Sequence, residues 1–97
     1  MKRLEIIANK AVEEDIIAVL EECGYGESFT YFHPVFGRGK KGRREGSAIW
    51  PESNVMFLIY IETGHGPTIL ERMKVLKEEF PQEGIKCWLG QGPEQTV

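Results

Sequence analysis

Asn54-Val55-Met56-Phe57-Leu58-Ile59-Tyr60-Ile61-Glu62 is the most apolar run in the chain, and it is apolar at both parities. On a strand, Val55, Phe57, Ile59 and Ile61 share one face while Met56, Leu58 and Tyr60 share the other. A strand with one wet face alternates apolar with polar residues. This one does not, which predicts a strand covered on both sides.

Downstream, Thr63-Gly64-His65-Gly66-Pro67 reads as a turn into a helix, with Pro67 near the first helical position. Ile69, Leu70, Met73, Leu76 and Phe80 mark that helix's buried face, and Pro81 and Gly84 end it. Residues 85–89 form a last short strand, and the polar tail beyond Gly90 is expected to be flexible. Upstream, residues 3–8 read as a strand with Leu4, Ile6 and Ala8 on one face. Residues 12–23 read as a helix with Val12, Ile16, Val19, Leu20 and Cys23 on one face. Gly24 stops it and Gly26 is expected to leave the exit flexible. Residues 28–36 are strand-like and aromatic, with Pro34 unable to donate to a neighbour. Residues 37–53 lack an apolar period and read as a long basic, Gly-rich loop.

The order strand, helix, strand, strand, helix, strand is the split βαβ arrangement. It predicts an α+β, ferredoxin-like βαββαβ sandwich, a four-stranded antiparallel sheet with two helices on one face, as a single domain over 1–97. Ile7, Met56, Leu58, Tyr60 and Trp88 place apolar groups on the other face. An uncovered apolar face of that extent predicts an oligomer packed sheet to sheet.

Ninety-seven residues hold one core and no second. No apolar run reaches the ~18 residues a membrane helix needs. The opening segment lacks the apolar stretch of a signal peptide, so a cytoplasmic location is expected. Cys23 and Cys87 stand apart and read as small buried thiols; neither they nor His33 and His65 have metal-ligand spacing. No nucleophile elbow or HExxH motif is present, and an enzyme is not expected.

Charge is segregated. The total is −3, from 12 cations and 15 acids, but Arg38, Lys40, Lys41, Arg43 and Arg44 place five cations in seven residues without an acid. The remainder carries 7 cations against 15 acids, a net of −8. Gly37, Gly39 and Gly42 allow backbone amides to converge, so this stretch suits a phosphate or carboxylate. Arg38 is the first candidate, because it is nearest an anchoring strand and binds anions in bidentate fashion. His65, before a helix start, offers a second donor toward an anion. Trp50 before Pro51 is a candidate docking anchor for a partner.

Val35-Phe36-Gly37-Arg38-Gly39-Lys40-Lys41-Gly42 resembles the start of the long loop in PII nitrogen-regulatory signalling proteins, where a Gly-Phe-Gly-Arg-Gln-Lys-Gly motif leaves the second strand. Met1-Lys2-Arg3-Leu4-Glu5-Ile6-Ile7 is similar to that family's first strand, and a helix with Val12, Asp15 and Leu20 follows at the same distance. The resemblance implies a homotrimer with sheets facing its centre and ligand clefts between subunits at the loop root. There PII proteins bind ATP or ADP, and some bind 2-oxoglutarate with magnesium. The candidate ligand-binding set is Gly37, Arg38, Gly39, Lys40, His65 and Lys86, and the resemblance implies ATP, ADP or AMP as candidate ligands. It also implies a loop (Lys41, Arg43, Arg44, Trp50) that docks on a membrane transporter or regulatory protein.

The chain departs from the pattern in four places. Gly39 replaces the loop glutamine that helps hold magnesium and 2-oxoglutarate. Residues 37–53 contain no Tyr for modification. Phe80-Pro81-Gln82-Glu83-Gly84-Ile85-Lys86 stands where the family has its Thr-Gly-x-x-Gly-Asp-Gly-Lys phosphate loop. The tail after Gly90 has no Arg. Two other readings stand beside this one. One is an RNA- or DNA-binding module combining the basic loop with Phe29, Tyr31 and Phe32. The other is a metal-responsive trimer resembling the copper-tolerance relatives of this fold.

Overall fold

Val55, Phe57, Ile59 and Ile61 are wholly withdrawn from water, and so are Leu4 and Ile6 of the neighbouring strand. In the computed structural model, which describes residues 1–39, 42–44 and 53–97, these side chains meet under two helices. Burying a side chain such as Phe57 contributes about 2–3 kcal/mol. The elements are β1 (Lys2–Asn9), α1 (Glu13–Glu22), β2 (Phe29–Val35), β3 (Gly37–Gly39), β4 (Gly42–Arg44), β5 (Asn54–Ile61), α2 (Gly66–Glu79) and β6 (Ile85–Gln91). The main sheet has the order β2-β5-β1-β6, and its pairings are antiparallel. This is the expected ferredoxin-like arrangement.

Register decides the faces, because residues directly opposite in an antiparallel pair point the same way. Leu4 faces Ile59 and Leu89, and Ile6 faces Phe57 and Cys87, all toward the helices. Phe29 and Tyr31 join that side opposite Ile59 and Phe57, with edge-to-face and tilted ring contacts to Phe57. Ile7 with Met56 and Lys86, and Glu5 with Leu58 and Trp88, belong to the opposite face.

Helix α1 starts after one 3-10 turn (Lys10–Val12) in which the Asn9 side chain accepts from the Ala11 amide at 2.9 Å. Glu13, Glu14 and Asp15 fill its first turn, the end where negative charge is favoured. At its other end Gly24 adopts φ +88°. The Gly24 amide donates to Glu21 O at 3.1 Å and the Tyr25 amide to Leu20 O at 2.7 Å, closing the helix. Gly26 is needed for space rather than for flexibility: a Cβ there would lie 2.6 Å from Glu21 Cγ and 3.1 Å from Glu21 Cα.

Two further expectations are corrected. The stretch after β2 is not wholly irregular, because β3 and β4 zip into a two-stranded ribbon with Arg38 opposite Arg43. Glycine-rich basic sequence carries no period-two signal, so backbone pairing there is invisible to pattern reading. The final strand also runs two residues further than expected, through Gln91. β1 offers paired backbone as far as Lys2, and the Gly92 amide still donates to Met1 O at 3.2 Å. Residues from Pro93 on have no regular secondary structure.

Candidate functional site

The ribbon leaves the sheet where four backbone segments meet. Val35 ends β2 opposite Asn54, which also faces Asn9 at the end of β1. The Asn9 amide donates to Gly84 O at 2.9 Å and the Lys10 amide to Ser53 O at 3.0 Å. These bonds tie β1 and the residue that returns from the loop to the start of α1 and to the α2–β6 turn. Pro34 lacks an amide, and the β2–β5 register shifts between Phe32 and Val35, as expected of a proline in an edge strand.

Side chains close the same junction. His33 Nε2 and Ser53 Oγ are 3.0 Å apart, linking the residues that flank the loop on either side. Tyr31 stacks on His33 with ring centroids 6.4 Å apart and donates its hydroxyl to Glu13, which also pairs with Lys10. Reading the sequence named Tyr31 and His33 only for other roles and did not group this set. Its members are scattered between positions 10 and 53, and only the meeting of β1, β2 and β5 at one end brings them together. The one available signal was a polar pair, Ser53-Asn54, immediately before the most apolar strand.

Gly37, Arg38 and Gly39 lie in β3, directly after Phe36. The backbone of Arg43 and Arg44 lies in β4. Lys40, Lys41 and Trp50 fall outside the described residues. Lys86 sits at the same end of the sheet but on the opposite edge strand, facing Ile7, three strand spacings or about 14 Å from β2. His65 lies at the other end of the sheet, beyond the last residue of β5. An eight-residue strand, about 25 Å long, separates it from the loop root. Its Nδ1 is 2.6 Å from the hydroxyl of the buried Tyr25, which also accepts from the Glu62 amide at 3.1 Å. So one chain brings Gly37, Arg38 and Gly39 together, and places Lys86 and His65 elsewhere.

The turn that replaces the expected phosphate loop is tied to itself. The Phe80 amide donates to Leu76 O at 3.0 Å, the Glu83 amide to Phe80 O at 3.0 Å, and Lys77 to the carbonyls of Pro81 and Glu83. Burial pushes the Cys87 thiol up to about 11, as expected of a small thiol packed against the core. Among the described residues no group of three or more His, Cys, Asp or Glu side chains is placed to hold a metal ion. No helix among them is long and apolar enough to cross a membrane.

The face away from the helices is open. Phe32 (47% exposed), Tyr60 (41%) and Trp88 (48%) line it with the half-buried Ile7, Met56 and Leu58. An Arg3–Glu5 ion pair of 2.6 Å lies among them.

The same architecture recurs in solved structures. CPII, a nitrogen regulatory PII-like protein from Thiomonas intermedia K12 bound to ADP, AMP and bicarbonate, superposes with a TM-score of 0.74 at 22% identity, covering 92% of this chain and 82% of that one. A PII-like signalling protein from Thermus thermophilus gives 0.65 at 20% identity over 92% and 83% of the two chains. A duf3240 family protein from Shewanella baltica gives 0.71 at 14% identity over 99% and 94%. Among curated protein sequences none matches this chain significantly. The sequence profile of the nitrogen regulatory protein P-II family matches residues 1–85. With that profile spanning most of the chain and the fold agreeing, this chain belongs to the nitrogen regulatory protein P-II family.

Proposed function

We propose that this protein is a homotrimeric, non-catalytic regulator that binds a small anionic ligand at the loop root and acts on a partner protein through its long loop. The observation that carries the reading is the position of Gly37-Arg38-Gly39. They leave the edge of a sheet whose bare face carries Phe32, Met56, Leu58, Tyr60 and Trp88. An apolar face of this kind calls for cover by further copies. With copies packed there, Lys86 on the far edge strand of one subunit reaches the cleft beside Arg38 of the next. That supplies the second cation a single chain leaves distant.

In this cleft Arg38 and Lys40 balance the ligand's charge, Arg38 binding it in bidentate fashion. Adenine nucleotides are the first class to consider, with ADP or AMP and bicarbonate ahead of 2-oxoglutarate, since CPII is bound to ADP, AMP and bicarbonate. Gly39 has no side chain to hold a magnesium–2-oxoglutarate pair. The working location is the cytoplasm, and the partner is a membrane transporter or a regulatory protein. A nucleic-acid role is disfavoured, because Phe29 and Tyr31 face the helices and the remaining strand aromatic, Phe32, lies on the face that trimer packing covers.

Native mass spectrometry and calorimetric titration against ATP, ADP, AMP, bicarbonate and 2-oxoglutarate test the reading. Three copies per assembly and micromolar binding of a nucleotide are expected, with at least about a tenfold loss of affinity in Arg38→Ala. A monomer, or unchanged binding in that variant, overturns it.

A further inference from the structure

On the outer side of the molecule, α1 and α2 leave a shallow groove between them. Val75, 43% exposed, and Leu76 form part of its floor, and Asp15, Glu22 and Glu79 stand on its rim. Among the described residues the groove has one cation, Arg72, and it is already paired with Glu22. Asp15 and Glu79 make no ion pair among the described residues. Helix α1 as a whole has five acids and no cation in its 10 residues. The groove is thus a negative channel with an apolar base.

The chain also contains the complement. Segment 38–44 has five cations and no acid. Its ends pair as a ribbon that sets the backbone of Arg38 directly opposite that of Arg43. Long Arg and Lys stems cover apolar surface while their heads reach acids, which matches a floor of Val75 and Leu76 under a rim of carboxylates. Only Phe36 separates β2 from the ribbon, leaving no linker on which it could turn back across its own α1.

We propose that the α1–α2 groove is a docking site for the basic 38–44 segment of a second copy of this chain. The contact joins one assembly to another and does not use the sheet face. Its strength comes from exposed charges, so salt weakens it steeply.

The test uses the full-length protein and a fluorescent peptide of residues 36–46. The peptide is expected to bind in about 20 mM salt and to lose at least about tenfold in affinity by about 300 mM. In Asp15→Lys/Glu79→Lys binding should vanish, and a peptide carrying Arg43→Glu and Arg44→Glu should bind that variant but not the original protein. If the double variant fails to fold, Val75→Arg, which fills the floor, replaces it. In low salt the sedimentation mass of the full-length protein should rise with concentration, and the groove variants should remove the rise. Equal peptide binding to original and groove variants overturns the proposal. So does a mass independent of concentration, since the segment would then not be meeting a second copy.

Discussion

Strand β5 has two faces, both with apolar residues, that differ chiefly in what lies over them. Val55, Phe57, Ile59 and Ile61 are sealed under α1 and α2, whereas Met56 and Leu58 remain half-buried and Tyr60 is exposed. The residues alternate along one backbone and are about equally apolar. The difference shows that apolar sequence sets a demand for cover, and chain topology sets how much of it one molecule can meet. Two helices, both on the same side, meet half.

Substitutions at neighbouring positions separate the two faces. Phe57→Ala, under the helices, should cost the single chain about 3–5 kcal/mol by removing the ring that Phe29 and Tyr31 pack against, read by urea unfolding. A loss below about 1 kcal/mol would show that the covered face is loosely packed. Leu58→Arg, one residue away on the bare face, should leave the fold intact but weaken association by about 3 kcal/mol or more, because a charge would be buried without a partner. Sedimentation with circular dichroism reads both quantities, and an unchanged assembly would remove the sheet face from the interface.

Tyr25→Phe probes the rim of the covered side. It deletes the hydroxyl shared by the Glu62 amide and His65 and should destabilise by about 1–2 kcal/mol in the same unfolding assay. The smallest effect concerns Cys87, on the covered face of edge strand β6. Its thiol is raised by burial from 9.0 to about 11, so above pH 9.0 the unfolded chain releases this proton before the folded one does. Its contribution to stability is complete below that pH and declines as pH rises toward about 11. Cys87→Val should flatten this part of the pH–stability curve, and an unaltered slope would assign the decline to other groups.

Much of the fold was legible along the chain. Leu4, Ile6 and Ala8, the i, i+3, i+4 pattern of α1, and Pro67 at the start of α2 each report a local period or a local stop, and each fell within a residue or two of its place. The site was less legible. Gly37, Arg38 and Gly39 were readable as a motif, because adjacent residues stay adjacent. The His33–Ser53 link and the Tyr31–Glu13–Lys10 set were not, since neither partner carries a mark of the other in the sequence. His65, chosen for its place before a helix start, and Lys86, from the stretch that stands in for the family's phosphate loop, join the loop in the candidate set, yet β5 carries one to the far end of the sheet and β6 carries the other to the far edge.

The sequence by itself determined the element order, the doubly apolar third strand and the separation of a basic loop from an acidic body, because these depend on periodicity and composition over short stretches. Only the tertiary structure decided which face of that strand the helices cover, that the glycine-rich stretch pairs as a ribbon, and which acids line the groove between α1 and α2. Those outcomes depend on strand register and on contacts between residues far apart in the chain, which no local pattern encodes.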